Sequence, residues 1–301
     1  MNNKNTVSVV ISAYNEEERI KECLTSVGWA DEIIVVDNES TDKTAAIAKK
    51  SGAAVYRRKN LPMLNINKNF GFTKATGDWI LNLDADEQVS DELQKEILKQ
   101  VQDDNMSGFE IPRKNIIFGK WIRHTGWWPD YQMRLFRRGK GRFPEQHVHE
   151  KIAVEGSVGQ LQNPIIHENY KTVSQFIEKM NKYTDNEAEQ LILKGYDYAP
   201  RDIIRFPKDE FLRRFFAQEG FRDEYHGLSL SLLMSCYHLV ILLKLWEKKG
   251  FSEHKLGEMN PDKELMTALM EFQHWAQKTS FRKNTVTKYI RSLLIKILYK
   301  L

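Results

Sequence analysis

The feature that most constrains this chain is an alternation of apolar runs and helix-patterned segments over residues 7–87, with polar residues at nearly every run's end. Val7-Ser-Val-Val-Ile-Ser12 is a β-branched strand pattern that ends at Ala13-Tyr14-Asn15-Glu16, and a charged helical segment follows from Glu17 to about Val27. Glu32-Ile-Ile-Val-Val-Asp37 is a second strand, and turn residues from Asn38 to Asp42 lead into an alanine-rich helix over Lys43 to Lys50. A short strand, Ala53 to Arg57, precedes a helical segment within Leu61 to Thr76, and Trp79-Ile-Leu-Asn-Leu-Asp84 is the fourth strand. Strands alternating with helices of this length predict a parallel sheet covered by helices. Such sheets bind ligands at the carboxyl ends of their strands, where Tyr14, Asn15, Glu16, Asp37, Asn38, Asp84 and Asp86 all fall. The three spaced glycines of a dinucleotide fold are missing after the first strand, which argues against a nicotinamide or flavin enzyme.

Asp84 and Asp86 are two residues apart at a strand end, a spacing that sends both carboxylates to one side. Two such groups repel unless a cation lies near, and hard oxygen ligands suit Mg²⁺ or Mn²⁺ that also holds a phosphate. A solvated loop whose acids bind nothing is the alternative. Further on, Ser90 is placed to cap a helix over Asp91 to Gln102, and Pro112 marks Phe109 to Arg113 as an edge strand. Phe118 to Trp128 holds three tryptophans with Arg123 and His124, and aromatic faces beside charged groups suit the apolar face of a pyranose. Arg134, Arg137 and Arg138 could meet a pyrophosphate or an anionic acceptor, or be charge on a solvated strand.

Several ordered motifs together resemble the family 2 glycosyltransferases: Val9 to Glu16, Ile34-Val-Val-Asp37-Asn38-x-Ser40-x-Asp42, and Asn69-x-Gly71-x-x-x-Ala75-x-Gly77 running on to Asp84-Ala-Asp86-Glu87. The stretches Asp130 to Arg137, Val148-His149-Glu150 and Ile166-His167-Glu168-Asn-Tyr170 are similar to the subgroup of lipopolysaccharide core β-1,4-glucosyltransferases. The resemblance implies a GT-A fold, Rossmann-like and mostly parallel with flanking helices, that binds a nucleotide-sugar, UDP-glucose first, and inverts its anomeric centre. It implies that Ala13, Tyr14 and Glu16 line the uridine pocket, that Asp37 faces the uracil or ribose, and that Lys68 lies near the nucleotide. Asp84 would sit by the ribose and metal, and Asp86 would ligate the metal. Glu150 falls where the family carries its base, in His-Val-His-Glu in place of the commoner Glu-Asp pair, so His149 is the second candidate. His167 has two readings, a further metal ligand or an imidazole satisfied by backbone.

The second half reads as helical. Phe176, Ile177, Met180, Tyr183, Ala188, Leu191 and Ile192 recur at helical spacing within Ser174 to Lys194, and Pro200 and Pro207 punctuate a connector. Leu228 to Trp246 is the most apolar stretch, expected as a helix buried against the domain or lying in a membrane interface. Phe281 to Leu301 holds no acid, and its lysines and Arg291 interleave with Val286, Ile290, Leu293, Leu294 and Ile297, the pattern of a helix on an anionic membrane surface. The expected organisation is a nucleotide-sugar and acceptor domain over residues 1–200 and a helical, membrane-contacting region over 201–301. The net charge of +4 is too small to imply nucleic acid, and Cys23 and Cys236 suggest no disulfide framework. The polar lead before Val7 carries no export signal, so the expected location is cytoplasmic, peripheral on the inner face of the membrane, where a lipid-linked or lipopolysaccharide-core glycan would be the acceptor. Two rivals stand: a sugar-1-phosphate nucleotidyltransferase, which would normally show a glycine-rich loop after the first strand, and a non-catalytic membrane scaffold with the same fold.

Overall fold

The structure, a computed structural model, describes residues 5–61, 63–102, 105–145, 150–196, 199–253 and 260–279. His149 and the basic stretch Phe281 to Leu301 lie outside the described residues. The chain forms two compact units, one of Met1–Ile117 with Trp128–Asn169, the other of Phe118–Trp127 with Tyr170–Leu301.

In the first unit the order is β1 (Val7–Ala13), α1 (Ile20–Ser26), β2 (Glu32–Asp37), α2 (Thr44–Lys50), β3 (Ala54–Arg57), α3 (Leu64–Lys74) and β4 (Trp79–Asp84), then β5 (Glu87–Val89), α4 (Asp91–Gln100) and β6 (Gly108–Ile117). After the excursion that carries β7 (Lys120–Trp121) come β8 (Asp130–Arg137), β9 (Gly141–Arg142), β10 (Ala153–Val154), β11 (Val158–Gln160) and β12 (Ile165–Tyr170). The sheet order is β3-β2-β1-β4-β8-β6-β12-β5, with β11 beside β6. The β3-β2-β1-β4 half is parallel, as the strand–helix alternation predicts, and β8 then runs antiparallel to both β4 and β6. β12 lies antiparallel to β5, with His167 opposite Glu87.

Alternation along the strands divides the core between the two sheet faces. Val7, Val9 and Ile11 of β1 join Trp79, Leu81 and Leu83 of β4 on one face, packed with Ile20, Leu24, Leu93 and Ile97 from α1 and α4. Val10, Ile34, Val36 and Ile80 pack with Phe72 of α3 and with Phe136 on the other. Gly71 lets α3 sit close: a Cβ there would lie 2.5 Å from Val10 Cγ1 and 3.0 Å from Val36 Cγ2. Ser90 caps α4, its hydroxyl accepting from the Leu93 N–H at 3.3 Å.

The Phe109 to Arg113 segment is not an edge strand: β6 lies inside the sheet, between β8 and β12. β11 pairs only with Gly108 to Glu110, short of Pro112, and the ladder to β8 carries a register shift at Phe109/Glu110.

The second unit is helical: α5 (Val173–Leu193), α6 (Asp202–Leu212), α7 (Glu224–Lys248) and α8 (Pro261–Lys278). Thr172 and Asn260 cap α5 and α8 with side-chain oxygens, and Pro261 opens α8, where its missing N–H costs nothing. α7 packs on α5 and α6. Leu230, Ile241, Leu242 and Leu245 of α7 are buried, while Leu232 is 50% exposed. By length and composition the stretch Gly220–Lys248 is long and apolar enough to cross a membrane. Pro207 lies inside α6 and not in a connector. It removes one hydrogen bond from the helix, while its own carbonyl accepts from Ser235 Oγ at 2.7 Å, and Phe211, Leu212, Phe215 and Phe216 hold the following turn by burial.

Candidate active site

The parallel register aligns the strand ends that carry the polar residues. Ala13 lies opposite Asp37, and Ser12 lies opposite both Val36 and Asp84. The loop after β1 is held by short-range polar contacts. Asn15 adopts a left-handed backbone, which Asn tolerates, and its side-chain oxygen accepts from the Thr41 N–H at 2.8 Å. Its own N–H donates to Ser40 Oγ, and the Glu16 N–H donates to Thr44 Oγ1 at 2.8 Å. Asp37 is buried at the end of β2 and accepts from the Ser40 N–H at 3.2 Å. Tyr14 is 44% exposed, a large aromatic turned outward beside this loop. Lys68 is supplied by α3, and Asn67 on the same helix donates to Asn38 Oδ1 at 2.6 Å.

At the end of β4 the acids and bases form one connected network. Lys68 Nζ is 2.5 Å from Asp84 Oδ1, and Arg134 Nη2 is 2.8 Å from Asp84 Oδ2. The same Arg134 nitrogen reaches Glu87 Oε1 at 2.6 Å, and Glu87 Oε2 accepts the Asp84 N–H at 2.9 Å. Glu87 has no solvent exposure and is paired with Arg134 and with Arg113, whose Nη1 is 3.8 Å away. Desolvation pushes the Asp84 carboxyl up, but Lys68 and Arg134 outweigh it and hold the group well below the usual carboxylate range. Burial works against the Arg134 charge, and Glu87 and Asp84 reverse this and raise its pKa. Cys23 lies against the network, and burial followed by the surrounding carboxylates pushes its thiol well up, so it is an inert packing group.

Asp86 has a different surrounding. Its Oδ2 is 3.4 Å from Arg19 Nη1 and 3.6 Å from His167 Nε2. The register of β12 on β5 brings His167 there from eighty residues further along the chain. His167 is buried, and its Nδ1 is 2.7 Å from Asn115 Oδ1. Asn115 turns its amide nitrogen to Asp130 Oδ2, at 3.4 Å, so its oxygen is the atom presented to the imidazole. The ring therefore donates from Nδ1 and, when neutral, carries its lone pair on Nε2, facing Asp86. Asp130 is fixed in turn by Arg113, whose Nε donates at 2.8 Å, and this joins the histidine side of the site to Glu87.

Glu150 accepts on Oε2 from the Glu145 N–H at 2.8 Å and from Asn65 Nδ2 at 3.3 Å. Asn65 and Lys68 both come from α3, so this helix serves the two carboxylates. Arg137 and Arg138 serve the backbone, donating from Nε to the Met106 and Gly77 carbonyls at 2.8 and 2.9 Å. The sequence gives Arg19 and Asn115 no role in the site, and marks Arg113 and Asp130 only as ends of their stretches. Nothing local distinguishes them from other surface polar residues, and only the sheet order brings Asn115 of β6 beside His167 of β12. Among the described residues no three His, Cys, Asp or Glu side chains gather as a complete metal site. Asp86 and His167 offer two ligands, the number that suits a cation completing its shell with phosphate oxygens and water.

The family model for glycosyl transferase family 2 matches residues 8–154. LpsC of Rhizobium meliloti (strain 1021), a lipopolysaccharide core biosynthesis glycosyltransferase, is 28% identical over 250 residues, covering 80% of this chain and 92% of LpsC. An uncharacterized glycosyltransferase of Rickettsia bellii (strain RML369-C) is 32% identical over 256 residues, covering 80% of this chain and 86% of that protein. Among solved structures, S. aureus TarS 1-349 aligns over 83% of this chain and 93% of its own at 17% identity, with a TM-score of 0.43. The matched motifs, the sheet that carries them and the length of the shared alignment lead to one assignment: the chain belongs to glycosyl transferase family 2.

Proposed function

We propose that this glycosyltransferase moves a sugar from a nucleotide-sugar donor, with UDP-glucose first in line, to a lipid-linked or lipopolysaccharide-core glycan, with inversion at the anomeric carbon. The observation that carries the reading is the pair of Asp86 and His167, 3.6 Å apart, with Asn115 Oδ1 2.7 Å from the imidazole Nδ1. Asp86 and His167 would hold a Mg²⁺ or Mn²⁺ ion, which would neutralise the charge that develops on the departing nucleoside diphosphate. Asp84 binds Lys68 and Arg134 and so keeps two cations next to the diphosphate position, while staying close to ribose and metal. Ala13, Tyr14, Glu16 and Asp37 form the nucleoside side of the site. Glu150, oriented by Asn65 and the Glu145 amide, takes the proton of the acceptor hydroxyl, with His149 as the second candidate. General-base help of this kind contributes on the order of 10²–10⁴ in rate.

The naming of the Rhizobium relative for lipopolysaccharide core biosynthesis supports the acceptor class. The exposed apolar residues of α7 and the basic pattern of Phe281 to Leu301 support a peripheral location on the inner face of the membrane, with residues 201–301 as the contacting region. Donor hydrolysis tests the whole reading. The protein is incubated with UDP-, GDP- and dTDP-sugars and Mn²⁺, with and without EDTA, and release of nucleoside diphosphate is followed. EDTA-sensitive release from one donor is expected. Failure both to hydrolyse and to bind any donor would revive the scaffold alternative. In Glu150→Gln, transfer should be lost with donor binding kept, and full transfer in that variant would remove Glu150 as the base.

A further inference from the structure

The second unit contains a cavity of about 250 Å³ that the chemistry above does not use. Its walls follow from helical spacing: Phe176, Met180, Tyr183 and Glu187 lie on one face of α5, and Met234, Tyr237 and His238 lie on one face of α7. Trp127 and Tyr170 complete the lining. The surface is thus mostly aromatic, with one carboxylate and one imidazole. Tyr237 donates its hydroxyl to Glu187 Oε1. A carboxylate has about four lone-pair sites, so this bond leaves Glu187 able to accept from hydroxyl groups in the cavity.

Aromatic walls with one acid suit either a sugar ring or an organic ammonium ion. The neighbouring charges separate the two. Lys179 Nζ already stands 5.1 Å from the Tyr170 ring centroid, and the Arg214 guanidinium stands 5.7 Å from that of Trp127. Lys179 would repel a second cation, Arg214 being already paired with Glu210, whereas a neutral ring meets no such repulsion. The volume lies below the roughly 300–1,000 Å³ of sites for drug-sized ligands, so the space fits one monosaccharide unit and not a nucleotide.

We infer that this cavity binds one neutral pyranose unit of a glycan, stacked on the tyrosine and tryptophan rings and hydrogen-bonded through its hydroxyls to Glu187 and His238. It is a sugar subsite additional to the nucleotide-sugar site, and its role as an acceptor subsite rests on the transferase reading. Saturation-transfer NMR on the full chain tests it, with the methyl glycosides of glucose, galactose, mannose and N-acetylglucosamine, and with choline and octanoate as competing chemistries. At least one glycoside should bind saturably. Glu187→Gln should weaken it about tenfold or more, and Met180→Trp, which fills the space, should abolish it, with UDP-sugar hydrolysis unchanged in both. The inference falls if no glycoside binds the wild-type protein, if binding is unaltered in Glu187→Gln, or if choline or octanoate binds in place of the sugars. Should Met180→Trp fail to fold, the wild-type panel and Glu187→Gln still decide. Glycoside binding at the cavity with no donor hydrolysed or bound would keep the sugar subsite and remove the transferase reading.

Discussion

Glu87 is a carboxylate without solvent exposure, ion-paired with the guanidinium groups of Arg134 and Arg113. Arg134→Leu removes the closer of these and leaves a buried charge poorly compensated. A loss of about 3–5 kcal/mol in urea unfolding at neutral pH is expected, and a change below 1 kcal/mol would mean that the network is not held as described. Asp84 supplies a pH signature. Its folded-state pKa is depressed, so its contribution to stability is fully present above the ordinary carboxylate value and is lost as pH falls through the folded value. The stability difference between the wild type and Asp84→Asn should therefore be flat from neutral pH to about pH 5 and shrink below about pH 4. Asn115 touches neither substrate nor metal in the proposed site; it positions His167. Asn115→Leu should weaken Mn²⁺ binding about 10–100-fold, measured by calorimetry with UDP present. Unchanged affinity would take His167 out of the ligand set.

Among the elements, α3 does the most for the site, because it carries Asn65, Asn67 and Lys68 on a helix set against β1 and β2. Gly71 permits that approach. In Gly71→Ala the new methyl would press on Val10 and Val36 and move the helix away from the sheet. The expected result is a loss of about 1–3 kcal/mol in stability together with a raised KM for the donor, since Lys68 shifts with the helix. An unchanged KM would show that Lys68 is not needed at the nucleotide. The elements of the parallel half were legible in sequence to within a few residues, because each combines a β-branched run with a polar end. Pro112 by itself points to a sheet edge, because the neighbours of its strand are set by long-range pairing. Pro207 by itself points to a connector, since the packing of Phe211, Leu212, Phe215 and Phe216 that holds its helix is not a local property.

On the scale of the whole molecule, the proposed membrane contact makes acceptor delivery depend on the C-terminal region. Deleting residues 281–301 should release the protein from anionic vesicles while leaving hydrolysis of a soluble UDP-sugar unchanged. Sedimentation with phosphatidylglycerol vesicles at low and high salt checks this. Binding unaltered by the deletion would shift the contact to the exposed apolar residues of α7.

The sequence alone determined the parallel half of the sheet, the family, and the strand-end acids at Asp37, Asp84 and Asp86, because these depend on local periodicity and on short ordered motifs. It also singled out His167 and Glu150 one at a time, without showing what holds them. The tertiary structure decided which groups meet. Asn115, Asp130 and Arg113 come from strands distant in sequence from His167 and Glu87 and are joined to them only by the strand order β8-β6-β12-β5. Side-chain partnership across a sheet depends on strand order and register, and long-range pairing sets both.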